Sequence, residues 1–341
     1  MITILTVTYS LIAAIIGAGF ASGQEMLIYF VLFKKYGIWG IVVTVIAFAL
    51  FVYVVLSTCI RNKESDYDGF LKIFTNATTR RIVKTITLVF SFAVYGAMIS
   101  AAGEIIYDFF GISRSIGTLI CAILSAIGFI IIGDRIFTFN GVLGIVLVLI
   151  ITFSALYMLC YREYHVFSAQ IVSATNSAFI YSGYNLVSLT PVLVTLSKRL
   201  KSKTDAIAVS CGVGSLSGII MLLIFGLLSI YASKINLGEL PMLTLARRQN
   251  HSFAMLYSFV LTCAILTTMI SAGGGLCEAL NIKNNPLKTG LLSASAYLLS
   301  SFGFSNLIDT AYRLCGIVGL FICIITIIVC IRQKLNNKIR F

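Results

Sequence analysis

The sequence contains few charged residues. Only 11% of its 341 residues are charged, whereas a soluble domain carries roughly 25%, so an ordinary water-soluble globule is excluded. Histidine occurs twice, at His165 and His251, without an H-E-x-x-H motif, and no carboxylate pair or serine nucleophile elbow accompanies it. We therefore expect a protein that is not an enzyme.

Paired cysteine motifs are also missing. The nine cysteines form no C-x-x-C pair and lie mostly inside apolar segments, so neither a zinc site nor a disulfide framework is indicated. We interpret them as small packing residues and expect no cofactor.

Hydrophobic residues make up 59% of the chain and form runs long enough to cross about 30 Å of hydrocarbon. The runs lack the period-two alternation of a membrane strand, so we predict an all-α protein in a lipid bilayer. Together the helices would form a single transmembrane domain over residues 1–341. Ten transmembrane helices, called spans one to ten here, are expected at 3–33, 36–60, 82–110, 115–133, 138–160, 168–197, 204–232, 252–280, 288–304 and 310–331.

The basic residues predict an orientation. With both termini in the cytoplasm, 17 of the 25 Lys and Arg residues lie inside, as the positive-inside rule favours, although Lys34 and Lys35 go against it. The formal charge of +13 is then a topology signal in a bacterial plasma membrane, and we expect no nucleic-acid partner. Span one has no Lys or Arg ahead of its apolar run, so we expect it to stay in the protein rather than be cleaved as a signal peptide.

Two spans contain residues that interrupt a plain membrane helix. Span one has three glycines between Gly17 and Gly23, followed by Glu25, and span six has Gly183 followed by Pro191. Both are the first of a group of five spans, and five is odd, so the second group must run opposite to the first. This predicts a 5+5 inverted repeat, about 3–160 and 168–331, with discontinuous helices one and six. Close helix packing is the alternative role of the glycines.

The longest loop of each predicted half supports the repeat. It follows the second helix in both halves, at residues 61–81 and 233–251, on opposite faces of the membrane. Loops related in this way are what an inverted repeat requires.

Glu25 is the most costly residue of span one, because a carboxylate is unfavourable inside the membrane. Such a residue is by default a functional candidate. Ser22 to Glu25 also spells an S-x-x-E capping box, in which Ser22 would cap a restarting half-helix and Glu25 would reach back to its amide. Capping, coupling to an ion or proton, and a gate contact all stay open for these two residues.

Span eight carries a pattern of oxygen ligands. Ala264, Thr267 and Thr268 place two hydroxyls one turn after a backbone carbonyl, which suits a hard cation such as Na⁺. Threonines in membrane helices also bond to their own carbonyls, which is the alternative. Tyr95 in span three and Ser271 in span eight are candidates for lining a binding site.

These residues resemble a known group of proteins. The ten spans are similar to transporters of the amino acid-polyamine-organocation superfamily, which have the leucine-transporter (LeuT) fold. The string from Gly17 to Glu25 resembles the YkvI-like branch of bacterial amino acid permeases. The resemblance implies that the amides of Gly17, Ala18, Gly19 and Phe20 meet the carboxylate of an amino acid.

The same resemblance extends to the sixth and eighth spans. The string from Phe179 to Asn185 is similar to a pattern of amino acid exchangers, which implies that Phe179 covers the substrate and that Gly183 and Asn185 contact its polar end. Tyr181 belongs to the same expected site. In sodium-coupled members, carbonyls matching Ala13 and Ile16 complete the site of Ala264, Thr267 and Thr268. Span five has no lysine of the kind that sodium-independent members often carry, which favours Na⁺.

The resemblance implies secondary active transport of an amino acid or a similar small amino or carboxylate solute by alternating access. Na⁺ is the expected coupling ion, with H⁺ through Glu25 as the alternative. A second class of function stays open, because small-molecule sensors of the spore-germination type are built on similar ten-helix proteins.

Overall fold

A computed structural model of the protein describes residues 2–64, 66–131, 149, 152–153, 156, 171–232, 236–282 and 285–339. The regular elements within these ranges are helical, mostly long α-helices joined by short connections. In chain order the helices are α1 Ile2–Ile15, α2 Ala18–Ala21, α3 Gln24–Tyr29, a 3₁₀ turn Val31–Phe33, α4 Tyr36–Asn62, α5 Tyr67–Phe74, α6 Ala77–Phe110, α7 Arg114–Ile131, α8 Ile171–Ser197, α9 Lys203–Tyr231, α10 Pro241–Gln249, α11 His251–Ala279, α12 Pro286–Ser300, α13 Phe304–Leu307, a π-helical turn Ile308–Tyr312, and α14 Arg313–Ile339.

Six helices in the described part of the chain are long and apolar enough to cross a membrane. The described residues also form three shorter apolar helices, which are Thr3–Ile15 in α1, Gln24–Phe33 from the start of α3, and Arg114–Phe129 in α7. The outward faces of the six long helices carry large apolar side chains such as Leu50, Val89 and Phe259, each more than half exposed, as expected where lipid replaces water. The six are Tyr36–Asn62, Ala77–Phe110, Ile171–Ser197, Lys203–Tyr231, His251–Ala279 and Phe304–Arg332.

Side-chain caps fix where several helices begin. Asn76 accepts a hydrogen bond from the amide of Thr79 (2.8 Å) at the start of α6, and Ser202 and Asp205 form a capping box at the start of α9. Such caps satisfy amides that have no partner within the helix. The Asn76 cap explains why α6 begins at Ala77, five residues before the predicted start of span three.

The long helices pack in two groups. In the first group, α8 packs against α4 and α14, α4 packs against α9, and α1 contacts α8 and α9. In the second group, α6 packs against α7, α11 and α12, and α12 also packs against α7. The chain therefore alternates between the groups: spans one and two lie in the first, three and four in the second, six and seven in the first, eight and nine in the second.

This alternation is what two equivalent halves would produce. A short helix also follows the second span of each half, α5 after α4 and α10 after α9. The first of them, α5, is held to α6 by Asp68, which forms ion pairs with Lys72 of α5 (3.3 Å) and Lys84 of α6 (2.5 Å). The hydrogen bond from Lys84 lowers the pKa of Asp68. Predicted span five, at 138–160, lies outside the continuously described ranges, so the complete 5+5 repeat and the single-domain assignment stay predictions.

Candidate functional site

Span one is interrupted twice. Helix α1 ends at Ile15, a single turn α2 follows at Ala18–Ala21, and α3 begins at Gln24. Gly17 precedes α2 in an extended conformation, and Gly23 precedes α3 with φ +83°, a left-handed conformation that glycine adopts without steric cost. The sequence prediction that helix one is discontinuous is therefore confirmed.

Neighbouring helices satisfy backbone groups that the interruption frees. The amide of Met242 in α10 donates to the carbonyl of Ser22 (2.9 Å), and the hydroxyl of Tyr257 in α11 donates to the carbonyl of Ala21 (2.6 Å). A broken helix is tolerated at membrane depth only where protein or water satisfies its backbone. Tyr257 also links the interrupted span of the first helix group to the second group.

Several backbone amides lie between the last hydrogen bond of α1 and the first hydrogen bond of α2. The amide of Ile16 still donates to Ile12 in α1, and the next amide with a backbone bond of this kind is that of Ala21, which donates to Gly17 (3.0 Å). The amides of Gly17, Ala18, Gly19 and Phe20 lie between them. These are the four amides that the sequence resemblance assigns to a substrate carboxylate.

Glu25 lies beside this turn and is buried, with 6% of its surface exposed. It accepts a hydrogen bond from the hydroxyl of Tyr184 in α8 at 2.9 Å. Its other oxygen, Oε1, lies 2.2 Å from the place that a Cβ on Gly19 would occupy. Glu25 therefore packs directly on Gly19, which a residue with a side chain would prevent.

The predicted capping box is wrong. The residue that caps α3 is Gly23, and its cap has no side-chain hydrogen bond. Ser22 does accept a bond from the amide of Gln24 (3.2 Å), but its hydroxyl donates to Gly19 (2.7 Å). Glu25 bonds to Tyr184 rather than to the backbone, because α8 packs close enough to offer a buried hydroxyl.

Four buried tyrosines, called the tyrosine cluster here, surround Glu25. They are Tyr29 of α3, Tyr181 and Tyr184 of α8, and Tyr312 of the π-helical turn, with ring centroids 5.3 to 5.7 Å apart in the contacting pairs. Phe90 of α6 contacts Tyr184 and Tyr312. Of the four, only Tyr181 was predicted from the sequence, although the i, i+3 spacing of Tyr181 and Tyr184 indicates one helix face shared by both.

The π-helical turn is tied to span one. The hydroxyl of Tyr29 donates to the carbonyl of Ile308 (2.9 Å), and Ser177 of α8 donates to the carbonyl of Tyr29 (2.8 Å). A π-helical turn displaces the regular carbonyl partners and is frequent at functional sites. Nothing in the sequence patterns indicated this feature of span ten.

Span six, in contrast, is one continuous helix, so the predicted break there is wrong. Pro191 lies inside α8, where the helix continues through it. Polar residues of this span bond to their own helix: Ser182 donates to Ala178 (2.8 Å), Asn185 to Tyr181 (3.0 Å) and Thr190 to Leu186 (2.7 Å). Hydroxyl and amide groups often bond to the preceding turn in this way.

In this conformation Gly183 and Asn185 make contacts within the protein, and the substrate contacts that the resemblance implied for them stay predictions. A Cβ on Gly183 would lie 2.1 Å from the carbonyl oxygen of Gly316 in α14, so Gly183 is a position of close helix packing. Asn185 uses its side-chain amide within α8. The close-packing alternative for membrane glycines is thus correct for span six.

Phe179 is 38% exposed. It lies two residues before Tyr181, or about 200° around the helix, while Tyr181 contacts Tyr29 and Phe30 of span one. Phe179 therefore points away from those residues in this conformation. Its predicted role over a substrate stays a prediction.

Tyr95 links three helices in this structure, and its predicted role in lining a site stays a prediction. It is fully buried, and its hydroxyl is hydrogen-bonded to Ser125 of α7 (2.6 Å) and Ser293 of α12 (2.7 Å). Both bonds lie within the second helix group. Ser271 of α11 is half-buried.

The residues predicted to bind Na⁺ lie on α1, the residue after it, and α11. Thr267 donates to the carbonyls of Cys263 (2.9 Å) and Ala264 (3.0 Å), which leaves its oxygen lone pairs available. Thr268 and Ala13 are half-buried, and Ile16 and Ala264 are buried.

Among the described residues, no group of three His, Cys, Asp or Glu side chains suits a metal ion. His251 begins α11 and is exposed, while His165 lies outside the described residues.

The chain is similar to two curated proteins of Bacillus subtilis (strain 168). It is 27% identical to the uncharacterized membrane protein YkvI over 326 residues, covering 91% of each chain. It is 22% identical to the uncharacterized protein YyaD over 329 residues, covering 95% of this chain and 96% of YyaD. No family model matches the chain.

Solved transporters share the fold. The structure of MhsT in complex with L-phenylalanine gives a TM-score of 0.64 at 13% identity, covering 96% of this chain and 97% of MhsT. A Na⁺-coupled sialic acid symporter gives 0.61 at 13% identity, covering 93% and 77%. The manganese transporter of Eremococcus coleocola gives 0.55 at 15% identity, covering 97% and 72%.

These likenesses and the six apolar helices identify a multi-pass membrane protein with the LeuT fold. The placement within the amino acid-polyamine-organocation superfamily and its YkvI-like branch stays a prediction.

Proposed function

We propose that the protein is a secondary active transporter of amino acids or similar small amino or carboxylate solutes, working by alternating access. The observation that carries this proposal is the interrupted span one. Its free amides and the buried Glu25 lie side by side in the interior, between two separately packed helix groups. Polar groups of this kind are costly in a membrane protein and mark substrate or ion pathways.

The division of the helices supports the mechanism. Among the described residues, α6 contacts α8 and α14 and α11 contacts α10, and further contacts that join the groups are made by α2, α13 and the π-helical turn. The last three are the irregular segments that carry the candidate site. A ligand bound there would contact both groups and so would stabilise one arrangement over another.

The substrate class is proposed from the pairing of donors and acceptors. The amides of Gly17 to Phe20 suit a carboxylate. L-Phenylalanine, bound in the structure of MhsT, and sialic acid, named for the symporter of similar fold, both contain a carboxylate. Phe179 is proposed to approach the substrate only in another conformation, because here it is partly exposed and faces away from span one.

We propose Na⁺ as one coupling ion, bound by Thr267, Thr268 and the carbonyls of Ala13, Ile16 and Ala264. The register of spans one and eight supports this site. Tyr257 contacts Ala21, and Thr267 follows ten residues later, about 15 Å along α11. Ala13 and Ile16 precede Ala21 by eight and five residues. If spans one and eight run in opposite directions, Ala13 and Ile16 therefore lie on the same side of the Tyr257–Ala21 contact as Thr267.

Uptake by the purified protein in proteoliposomes tests the function. We expect a radiolabelled mixture of amino acids to accumulate against a gradient, and accumulation to rise with Na⁺ at constant ionic strength. The Thr267→Ala, Thr268→Ala double variant should lose the Na⁺ dependence, while Thr262→Ala in the same helix serves as a control. Binding of an amino acid without any flux would instead support the sensor function.

The orientation is part of the proposal. We propose that both termini and the α5 loop are cytoplasmic and that α10 is external. Cysteines introduced as Lys72→Cys or Arg247→Cys, in a chain without the native cysteines, report this in intact cells. An impermeant thiol reagent should label position 247 and spare position 72, and the reverse pattern would contradict the orientation.

A further inference from the structure

Among the described residues, Glu25 accepts a side-chain hydrogen bond from one neutral donor and forms no ion pair. The hydroxyl of Tyr184 donates to Oε2, and Oε1 packs on Gly19. An ionised carboxylate inside a protein is costly unless a cation or several donors stabilise it. A single tyrosine hydroxyl does not meet that requirement.

The other groups that face Glu25 are uncharged in their ordinary state. They are the tyrosines of the cluster: Tyr29 from α3 itself, Tyr181 from α8 and Tyr312 from the π-helical turn. Helix α2 contributes Gly19, and α9 and α10 approach the adjoining Gly23 with the apolar Leu228 and Met242.

Arg313, the cation that follows Tyr312 of the cluster in the chain, is paired. Arg313 of α14 forms an ion pair with Asp309 in the preceding turn. The charged residues of α10, Arg247 and Arg248, lie at its last turn, and Arg247 pairs with Asp108 at the end of α6 (3.3 Å).

Glu104 in α6 shows the opposite arrangement. It is as deeply buried as Glu25, with 7% of its surface exposed, but its Oε2 lies 2.7 Å from Nε of Arg114 in α7. A guanidinium at this distance stabilises an ionised carboxylate. The two glutamates therefore form a matched pair that differs in the charge of the partner.

We propose that Glu25 carries a proton in the conformation of the structure and releases it to water when the turn of span one moves away from α8. The carboxylic acid loses one proton, the carboxylate that remains is hydrated, and it takes a proton again before the site closes. Glu25 is then a binding site for H⁺, separate from Thr267 and Thr268. Its use in coupling rests on the proposed transport function.

Infrared spectroscopy of the full chain in lipid tests the protonation without any substrate. At neutral pH we expect the carbonyl band of a protonated carboxylic acid in the wild type and in Glu104→Gln, and its loss in Glu25→Gln. Tyr184→Phe should keep the band and shift its frequency, because a hydrogen bond to the acid is removed. An absent band in the wild type, or a full band in Glu25→Gln, would overturn the proposal.

Transport then tests the use of the proton. In proteoliposomes with an imposed pH gradient and no Na⁺ gradient, wild type and Glu104→Gln should accumulate the amino acid mixture. Glu25→Gln should accumulate at least tenfold less while still exchanging internal for external amino acid. Equal accumulation by Glu25→Gln would refute coupling through this residue. If the wild type moves no amino acid under any gradient, the proposed function fails, and the infrared band still decides the state of Glu25.

Discussion

Span one and span six are the corresponding first helices of the two predicted halves, yet one is broken and the other is continuous. Both contain glycine and polar side chains. In span one, Gly23 has a left-handed φ, and its neighbours on α10 and α11 satisfy the freed carbonyls. In span six, Gly183 is helical and lies against the backbone of α14. Glycine thus allows the backbone to leave the helical conformation in span one, and it allows close helix packing in span six.

The largest expected effect is at Gly183. A methyl group there would lie 2.1 Å from the carbonyl oxygen of Gly316, and backbone cannot move as a flexible side chain can. We expect Gly183→Ala to destabilise the protein by about 3 kcal/mol or to prevent folding, as for strong overpacking. Gly17→Ala is the matched control in span one, because its Cβ would meet nothing within 4 Å. Thermal unfolding in detergent compares the two, and equal melting temperatures would contradict this difference between the spans.

Gly23→Ala is expected to have the next largest effect. The substitution forces a residue with a Cβ into the left-handed region, which costs roughly 1 to 2 kcal/mol, and it also brings that Cβ to 2.7 Å from Cγ of Met242. In the double variant with Met242→Ala the clash is relieved and the backbone strain stays, so thermal unfolding should show a partial recovery. Complete recovery would show that φ at Gly23 is not strained.

Gly19→Ala is expected to change function more than stability. Its Cβ would meet Oε1 of Glu25 at 2.2 Å, and the end of a flexible side chain can move away. The Glu25–Tyr184 hydrogen bond should break, and substrate binding measured by isothermal titration should weaken at least tenfold. Gly19→Leu should abolish binding, because the longer side chain would fill the space over the turn. Wild-type affinity in both variants would exclude this site.

The smallest effect is expected for Pro191→Ala. Alanine restores an amide for the helix and suits its interior better, so unfolding should be unchanged or shifted to slightly higher temperature. Uptake should also be unchanged, because the structure shows no hinge at this position. A marked loss of uptake would show that span six bends at Pro191 during transport and would weaken the contrast with span one.

The sequence predicted most long helices well. Spans two, seven and eight match α4, α9 and α11 to within two residues, because the length of an apolar run and the caps at its ends are local properties. The interruption of span one was also visible, since a plain membrane helix has little use for three glycines and a carboxylate at membrane depth. For the same local reason, Gly183 and Pro191 in span six suggested a break that does not exist.

The candidate site was predicted only in part. Glu25 and the turn at Gly17–Phe20 were selected as candidates because they are neighbours in the chain, whereas Tyr29, Tyr184 and Tyr312 were not selected. Their roles depend on contacts between residues more than 150 positions apart, such as the bond from Tyr184 to Glu25. The two serine partners of Tyr95 could not be predicted either, because they lie on helices that no local pattern connects to span three.

The sequence by itself determined that the chain is an all-α membrane protein and where span one is interrupted, because hydrocarbon requires long apolar helices and glycine permits the break. Only the tertiary structure decided how each polar residue in the membrane is satisfied. Ser182 and Asn185 bond within their own helix, Glu104 obtains an arginine, and Glu25 obtains a tyrosine. The physical reason is that a buried polar group takes its partner from whichever helix packs against it, and packing is decided by the fold as a whole.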